Sequence, residues 1–193
     1  MSDVRWGTRL GCAAVGAGLY VGLVTGRVTI DLGIGRRRQA LRPLEIDIDA
    51  PRELVFDLIS GPYLGRTPKA MEGKLRVLQR DAELVLAQHH TAARLGLTAV
   101  TMETVRFVRP ERIEFALVRG PVPALTETFE LTEHTNRTRL RYSGELETDL
   151  WLVGQRWGRV VAWDWTAAVE ASLEVIRSEA ERQVSARRRS QAP

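Results

Sequence analysis

Apolar and polar positions follow three regimes along the chain. The first is a run without charge, Leu10 to Gly26, reading LGCAAVGAGLYVGLVTG. The second, Arg27 to Pro43, is basic and glycine-containing and has no clear period. From Leu44 the pattern becomes regular. LEIDID alternates, which places Leu44, Ile46 and Ile48 on one face of a strand. Residues Ala50 to Ile59 then read as a helix with Pro51 at its first position and Leu54, Val55, Leu58 and Ile59 as its buried stripe; Gly61-Pro62 is expected to break it. Six strand-like runs follow: Lys74 to Arg80, Glu83 to Thr91, Thr98 to Arg109, Arg112 to Val118, Leu125 to Thr132 and Arg137 to Leu146. They are joined by short polar or Pro/Gly links at Arg109-Pro110-Glu111, Gly120-Pro121 and His134-Thr135-Asn136, as in an antiparallel meander. A helix of roughly Asp149 to Val184 ends the pattern. Its apolar stripe is Trp165, Val169, Leu173 and Ile176, widened by Ala162, Ser172 and Ala180, and its other side carries Arg159, Glu170, Glu174, Arg177 and Glu181.

This order predicts an α+β chain of helix-grip form: a curved antiparallel sheet of about seven strands around a long C-terminal helix, with an N-terminal transmembrane helix in addition. The expected organisation is a membrane anchor over 1–26, a basic linker over 27–43, the grip domain over 44–184 and a basic tail over 185–193. A bent sheet holding one helix leaves room between them for a ligand. The residues expected to line that room are Glu103, Val105 and Phe107 from the third strand-like run and Ile113, Phe115 and Leu117 from the fourth. Phe129, Leu140 and Tyr142 come from the last two, and Trp165, Val169 and Leu173 from the helix.

Composition changes this picture little. The 193 residues are 44% hydrophobic and 27% charged, as in a globular protein. The net charge of +4 would suit nucleic acid or an anionic membrane, but of 28 cationic residues all except Lys69 and Lys74 are arginine, and they are scattered rather than interleaved with aromatics. Nucleic acid is therefore not an expected partner. Cys12 is the single cysteine, so no disulfide or CxxC metal site forms within one chain.

The uncharged run would span roughly 25 Å at ~1.5 Å per residue, the lower limit for crossing a bilayer. A secretory signal and a buried soluble helix compete with a membrane anchor. The mixed-charge start MSDVRWGTR and the lack of a small-x-small site before Arg27 speak against the signal. Arg27, Arg36, Arg37, Arg38 and Arg42 follow the run, against Arg5 and Arg9 before it, so the positive-inside rule places the bulk of the chain on the cytoplasmic side of the cell membrane as a single-pass protein. Membrane lipids are then partners of the basic stretch. Ala14, Gly18, Gly22 and Gly26 form a small-residue ridge of the kind through which membrane helices pair into homodimers, although a Gly- and Ala-rich composition produces the same spacing.

Candidate chemistry is sparse. His89 and His90 are adjacent in a strand and point to opposite faces, so at most one can face the interior; His134 falls in a turn. No metal-ligand spacing, nucleophile elbow or phosphate loop occurs, so no metal or cofactor is expected and no catalytic residue is assigned. Glu103 shares a strand face with Thr101, Val105 and Phe107. It is a buried acid if that face is the inner one, and a surface residue if Val100, Met102 and Thr104 face inward instead. Trp151, Trp157 and Trp163 surround the start of the last helix, with Trp163 on its polar side.

Ile46-Asp47-Ile48-Asp49-Ala50-Pro51-Arg52-Glu53-Leu54-Val55-Phe56-Asp57-Leu58-Ile59, the Pro110-Glu111-Arg112-Ile113-Glu114-Phe115 turn into a strand, and the Thr138 to Gly144 strand resemble the START-like (SRPBCC) superfamily. The similarity is greatest to its polyketide cyclase/dehydrase and lipid-transport branch, and it covers about residues 44 to 184. It implies the helix-grip fold and binding of a hydrophobic small molecule such as a lipid, isoprenoid or polyketide-like compound. Because the branch also holds enzymes and interaction modules, a cyclase or dehydratase and a ligand-free module stand as alternatives.

Overall fold

The alternation from Leu44 onward becomes one antiparallel sheet in a computed structural model that describes residues 16–65, 71–81, 83–135 and 137–190. The strands are β1 (Arg37–Ala40), β2 (Leu44–Ile48), β3 (Leu75–Arg80), β4 (Leu84–Ala92), β5 (Thr98–Val108), β6 (Arg112–Arg119), β7 (Ala124–His134) and β8 (Arg137–Thr148). Three helices accompany them: α1, described over 16–24, α2 (Arg52–Leu64) and α3 (Trp151–Ser190). The order across the sheet is β1-β8-β7-β6-β5-β4-β3, so β3 to β8 is an uninterrupted meander, and β2 pairs β8 beyond the end of β1.

Eight strands replace the seven expected, and the extra one is β1. Residues 27–43 are thus not a free linker: Arg37 to Ala40 pair with Thr148 to Glu145, and Leu41 is buried with its N–H on the Gly144 carbonyl at 2.9 Å. RRQA carries almost no apolar signal, so its strand character comes from the free edge of β8 rather than from its own side chains. Gly144 permits the arrangement, because a Cβ there would stand 2.7 Å from the Thr126 carbonyl oxygen and 3.1 Å from Leu41 Cδ1.

Two helix ends differ from expectation. Gly61-Pro62 does not end α2, which runs on to Leu64 and closes with the Gly65 N–H on the Gly61 carbonyl at 2.8 Å. Proline forfeits one intrahelical bond, and burial of Pro62 and Tyr63 against the core offsets it. At the C-terminus the segment expected to be a basic tail is helical as far as Ser190; arginines 187 to 189 suit the negative end of a helix.

α3 lies closest to β8, β1, β2 and α2. Its first turns need glycine there: a Cβ on Gly154 would meet the Asp149 carbonyl oxygen at 1.6 Å, and one on Gly158 would crowd Thr148 and Leu146. Asp149, buried, fixes the junction. Its carboxylate accepts from the Leu32 and Gly33 N–H groups at 2.5 and 2.8 Å and from Arg36 Nε at 2.8 Å. The Arg36 guanidinium holds it down at about 2. Leu173 and Ala180 are buried on the expected stripe and Trp165, Val169 and Ile176 half-buried, whereas Ser172 is exposed and does not widen it; Trp163 is 72% exposed.

The uncharged N-terminal run is described only from Gly16, and among the described residues no helix is long and apolar enough to cross a membrane, so the expected transmembrane helix is not found. The end of the run serves another purpose. Leu23 and Val24 are buried, Tyr20 meets the Trp157 ring edge-on at 6.0 Å, and Arg119 Nε donates to the Gly26 carbonyl at 2.9 Å. Of the small-residue ridge, Gly22 faces Val28 and Gly26 faces Val100 of the same chain, Gly18 meets nothing within 4 Å, and Ala14 lies outside the described residues.

Candidate functional site

Pleating decides which side chains face α3. On β5 the buried positions are Thr101, Glu103 and Val105, with Phe107 next in step, so Glu103 lies on the inner face and Met102 and Thr104 on the other. On β7 the same parity buries Leu125, Glu127, Phe129 and Leu131. Two carboxyls therefore enter one apolar interior, 2% exposed at Glu103 and 5% at Glu127. A bulge marks the first of them. Met102 pairs Arg119 and Glu103 pairs Leu117, leaving Val118 as an extra residue on β6. Such bulges bend a strand and re-aim its side chains.

Glu127 is held by donors from two elements. The Tyr142 hydroxyl donates to Oε1 at 2.6 Å and the Trp165 indole Nε1–H donates to the same oxygen at 2.7 Å, so this carboxyl links β7, β8 and α3. Glu103 has a looser surround. The Thr101 hydroxyl donates to Oε1 at 2.6 Å, and His89 Nδ1 lies 3.5 Å from Oε2. The other nitrogen of that imidazole is 3.4 Å from the Tyr63 hydroxyl of α2, giving a chain Tyr63, His89, Glu103, Thr101. Among the described residues His89 is the only charge-capable partner within salt-bridge distance of either carboxyl.

With no fixed cation nearby, burial governs these groups. It raises Glu103 to about 7, against the opposing Thr101 bond. It raises Glu127 to about 7 as well, assisted by the charge of Glu103 and opposed by the bonds from Tyr142 and Trp165. Burial pushes His89 down to about 4, so its imidazole is neutral near neutral pH. Tyr63 and Tyr142 are raised by burial and by the neighbouring carboxyls and remain protonated phenols. The interior thus holds two acids poised near neutrality, one neutral imidazole and two phenols.

A row of rings crosses the same interior: Tyr63 to Phe115 at 5.9 Å between centroids, Phe115 to Phe129 at 5.5 Å and Phe129 to Tyr142 at 5.2 Å. Such contacts favour tilted and edge-to-face geometry, which is what the angles of 69°, 66° and 56° show. Phe107, Leu117, Trp165 and Val169 also belong to this core but are only half-buried.

Every lining residue expected from the pattern lies in or against this one core: Glu103, Val105, Phe107, Ile113, Phe115, Leu117, Phe129, Leu140, Tyr142, Trp165, Val169 and Leu173. Ile113, Leu140 and Leu173 are packed as structural core. Sequence reasoning passed over Glu127, Tyr63 and Thr101 and gave His89 no special role. Glu127 was open to discovery, since it alternates with Leu125, Phe129 and Leu131. Tyr63 was not, because it falls where the helix had been expected to end. His90 is on the outer side of β4 and lines a surface hollow of about 380 Å³ with Glu72, Gly73, Leu75 and Arg76; His134 is exposed at the end of β7. No cluster of metal-ligating side chains occurs among the described residues.

This architecture recurs in solved structures. An aromatase/cyclase, Zhui, from a Streptomyces species superposes with a TM-score of 0.64 at 13% identity, covering 77% of this chain and 96% of its own. Norcoclaurine synthase from Thalictrum flavum gives 0.59 at 13% identity, over 80% and 94% of the two chains. A START superfamily protein from Mycobacterium smegmatis gives 0.53 at 13% identity, over 75% and 99%. At such identities the likeness is one of fold. No curated protein matches the chain. The family model described as polyketide cyclase/dehydrase and lipid transport matches residues 48–173, which takes in α2, the whole meander and α3 as far as Leu173. With its hydrophobic-ligand-binding grip, the chain belongs to the polyketide cyclase/dehydrase and lipid transport family.

Proposed function

We propose that the chain binds an apolar small molecule carrying oxygen functions, a lipid, isoprenoid or polyketide-like compound, between α3 and the inner face of β4 to β7. The observation that carries this reading is Glu103. It is an acid without a cation, at an inner face whose neighbours Phe107 and Leu117 are only half-buried. Protonated, it donates to a carbonyl or hydroxyl oxygen; ionised, it accepts from a hydroxyl. The rings of Tyr63, Phe115 and Phe129 supply the apolar remainder of the contact.

A second reading, favoured by the Tyr63, His89 and Glu103 chain, is acid/base catalysis of the cyclase or dehydratase kind. In a dehydration the neutral His89 would take the proton from the carbon next to a carbonyl. Protonated Glu103 would give its proton to the departing hydroxyl, so that a C–H and a C–O bond break, a C=C bond forms and water leaves. The pKa of about 7 at Glu103 suits such an exchange near neutral pH.

The test is native mass spectrometry of the protein purified from its own host, with extraction and identification of what it carries. Retention of an oxygen-bearing apolar compound, weakened at least tenfold by Glu103→Gln, is expected. A wild-type protein that carries nothing, and takes up none of the host's apolar compounds on incubation, would contradict the binding reading. Conversion of the bound compound by wild type and not by Glu103→Gln would establish the second.

A further inference from the structure

We infer that the face formed by the start of α3 and the loop before β1 docks on an anionic lipid surface. This is independent of what occupies the interior. Leu32, Ile34, Trp151, Leu152 and Val153 are all more than half exposed, Leu152 at 67% and Trp151 at 55%. The backbone holds them together as one corner. The Leu150 N–H donates to the Ile34 carbonyl at 2.8 Å and the Trp151 N–H to the Gly35 carbonyl at 3.0 Å. The Trp151 ring lies so close over Gly35 that a Cβ there would come within 2.3 Å of it. Leu150 and Trp151 both adopt positive φ, 68° and 49°, a left-handed conformation that is unfavourable for a residue with a side chain. The buried Asp149 and its bonds to Leu32, Gly33 and Arg36 hold that conformation in place.

The corner continues along α3. Leu152, Arg156, Arg159 and Trp163 follow one another at helical spacing on the side turned away from the sheet, with Val160 beside them, and all five are exposed. Arg156 and Arg159 make no ion pair among the described residues, whereas most arginines of the sheet edge, such as Arg139 with Asp47 and Arg141 with Glu45, are paired. Two exposed tryptophans, several aliphatic side chains and unpaired arginines on one face match the requirements of a phospholipid interface: rings at headgroup level, aliphatics in the acyl boundary, cations on phosphate. Charge also argues against a second copy as the occupant. In a two-fold contact through this face, Arg156 and Arg159 would meet their own counterparts.

The experiment uses the full chain and flotation with phosphatidylcholine vesicles, with and without phosphatidylglycerol, so that the N-terminal run is the same in every sample. Wild type should float with the anionic vesicles and be released by high salt. Leu152→Glu with Trp163→Glu should lower partition about tenfold or more, since it removes two inserted side chains and adds two anions. Arg156→Gln with Arg159→Gln should lower it roughly thirtyfold on anionic vesicles and little on neutral ones, each cation contributing about fivefold. All four positions are exposed, so the melting temperatures should match wild type. A milder pair, Leu152→Ser with Trp163→Ser, repeats the test if the first pair does not fold. The inference is overturned if wild type ignores anionic vesicles, if it binds and all variants bind equally, or if the variants abolish a dimer instead of vesicle binding.

Discussion

Glu103 and Glu127 are the same residue type, on strands two apart in one sheet, both buried on its inner face and both raised to about 7, yet they are built into the molecule differently. Glu127 receives two strong donors, from Tyr142 on β8 and Trp165 on α3, and lies beside Gly144, the point where β8 passes from β2 to β1. Its surroundings are closed. Glu103 has one close donor, from Thr101 two positions earlier on the same strand, and a histidine at 3.5 Å whose far nitrogen meets a phenol at 3.4 Å. Both separations are longer than a normal hydrogen bond, so the contacts of Glu103 are looser than those of Glu127. The difference teaches that a raised pKa does not identify a functional acid by itself. The partners distinguish the two: Glu127 ties β7 to β8 and α3, and Glu103 is the group that the proposed reading gives to the ligand.

That contrast can be broken from the Glu127 side with the largest effect. Trp165→Ala removes a half-buried ring and one of the two donors of Glu127, and should cost about 3–5 kcal/mol in chemical denaturation. Tyr142→Phe keeps the ring and removes only the other donor, so about 1–3 kcal/mol is expected. From the Glu103 side, Thr101→Val should cost about 1 kcal/mol in stability while raising the pH at which Glu103 ionises, because the Thr101 bond favours the charged form. Smallest of all, Trp163→Ala should stay within about 0.5 kcal/mol, since its ring is exposed. Equal losses at Trp163 and Trp165 would mean that α3 is rotated on the sheet.

The helix stripe and the meander were legible because alternation and 3.6-residue spacing are direct consequences of one buried face: the six strands from β3 to β8 and the assignment of Trp165 and Trp163 to opposite sides needed nothing else. What alternation could not show was β1, whose polar RRQA is a strand only because β8 has a free edge to pair with. Of the uncharged N-terminal run, Leu23 and Val24 are buried, and a sequence does not reveal whether an apolar residue meets lipid or protein. At the site, the inner position of Glu103 was one of two readings that parity alone left open, and Thr101 with Phe107 decides it once the sheet is formed. The His89 and Tyr63 contact joins β4 to α2 across 26 positions, and no local pattern reports such an encounter.

Burial in an apolar interior makes both carboxyls hold their protons to about pH 7, and the pH dependence of folding stability tests this directly. A carboxyl near 4.5 when unfolded and about 7 when folded binds its proton more tightly in the folded state. It contributes stability that is complete below 4.5 and is lost as pH rises to 7, up to about 3 kcal/mol for each group. His89, lowered from 6.5 to about 4, acts in the opposite sense, with stability lost as pH falls through that window. Denaturation of wild type, Glu103→Gln, Glu127→Gln and the double variant between pH 4.5 and 8 separates these contributions. Wild type should lose stability between pH 4.5 and 7 and each single variant less, whereas the double variant should gain, by up to about 3 kcal/mol, as His89 deprotonates in the unfolded chain. Parallel curves for all four proteins would show that neither carboxyl is shifted by burial, and would contradict this reading.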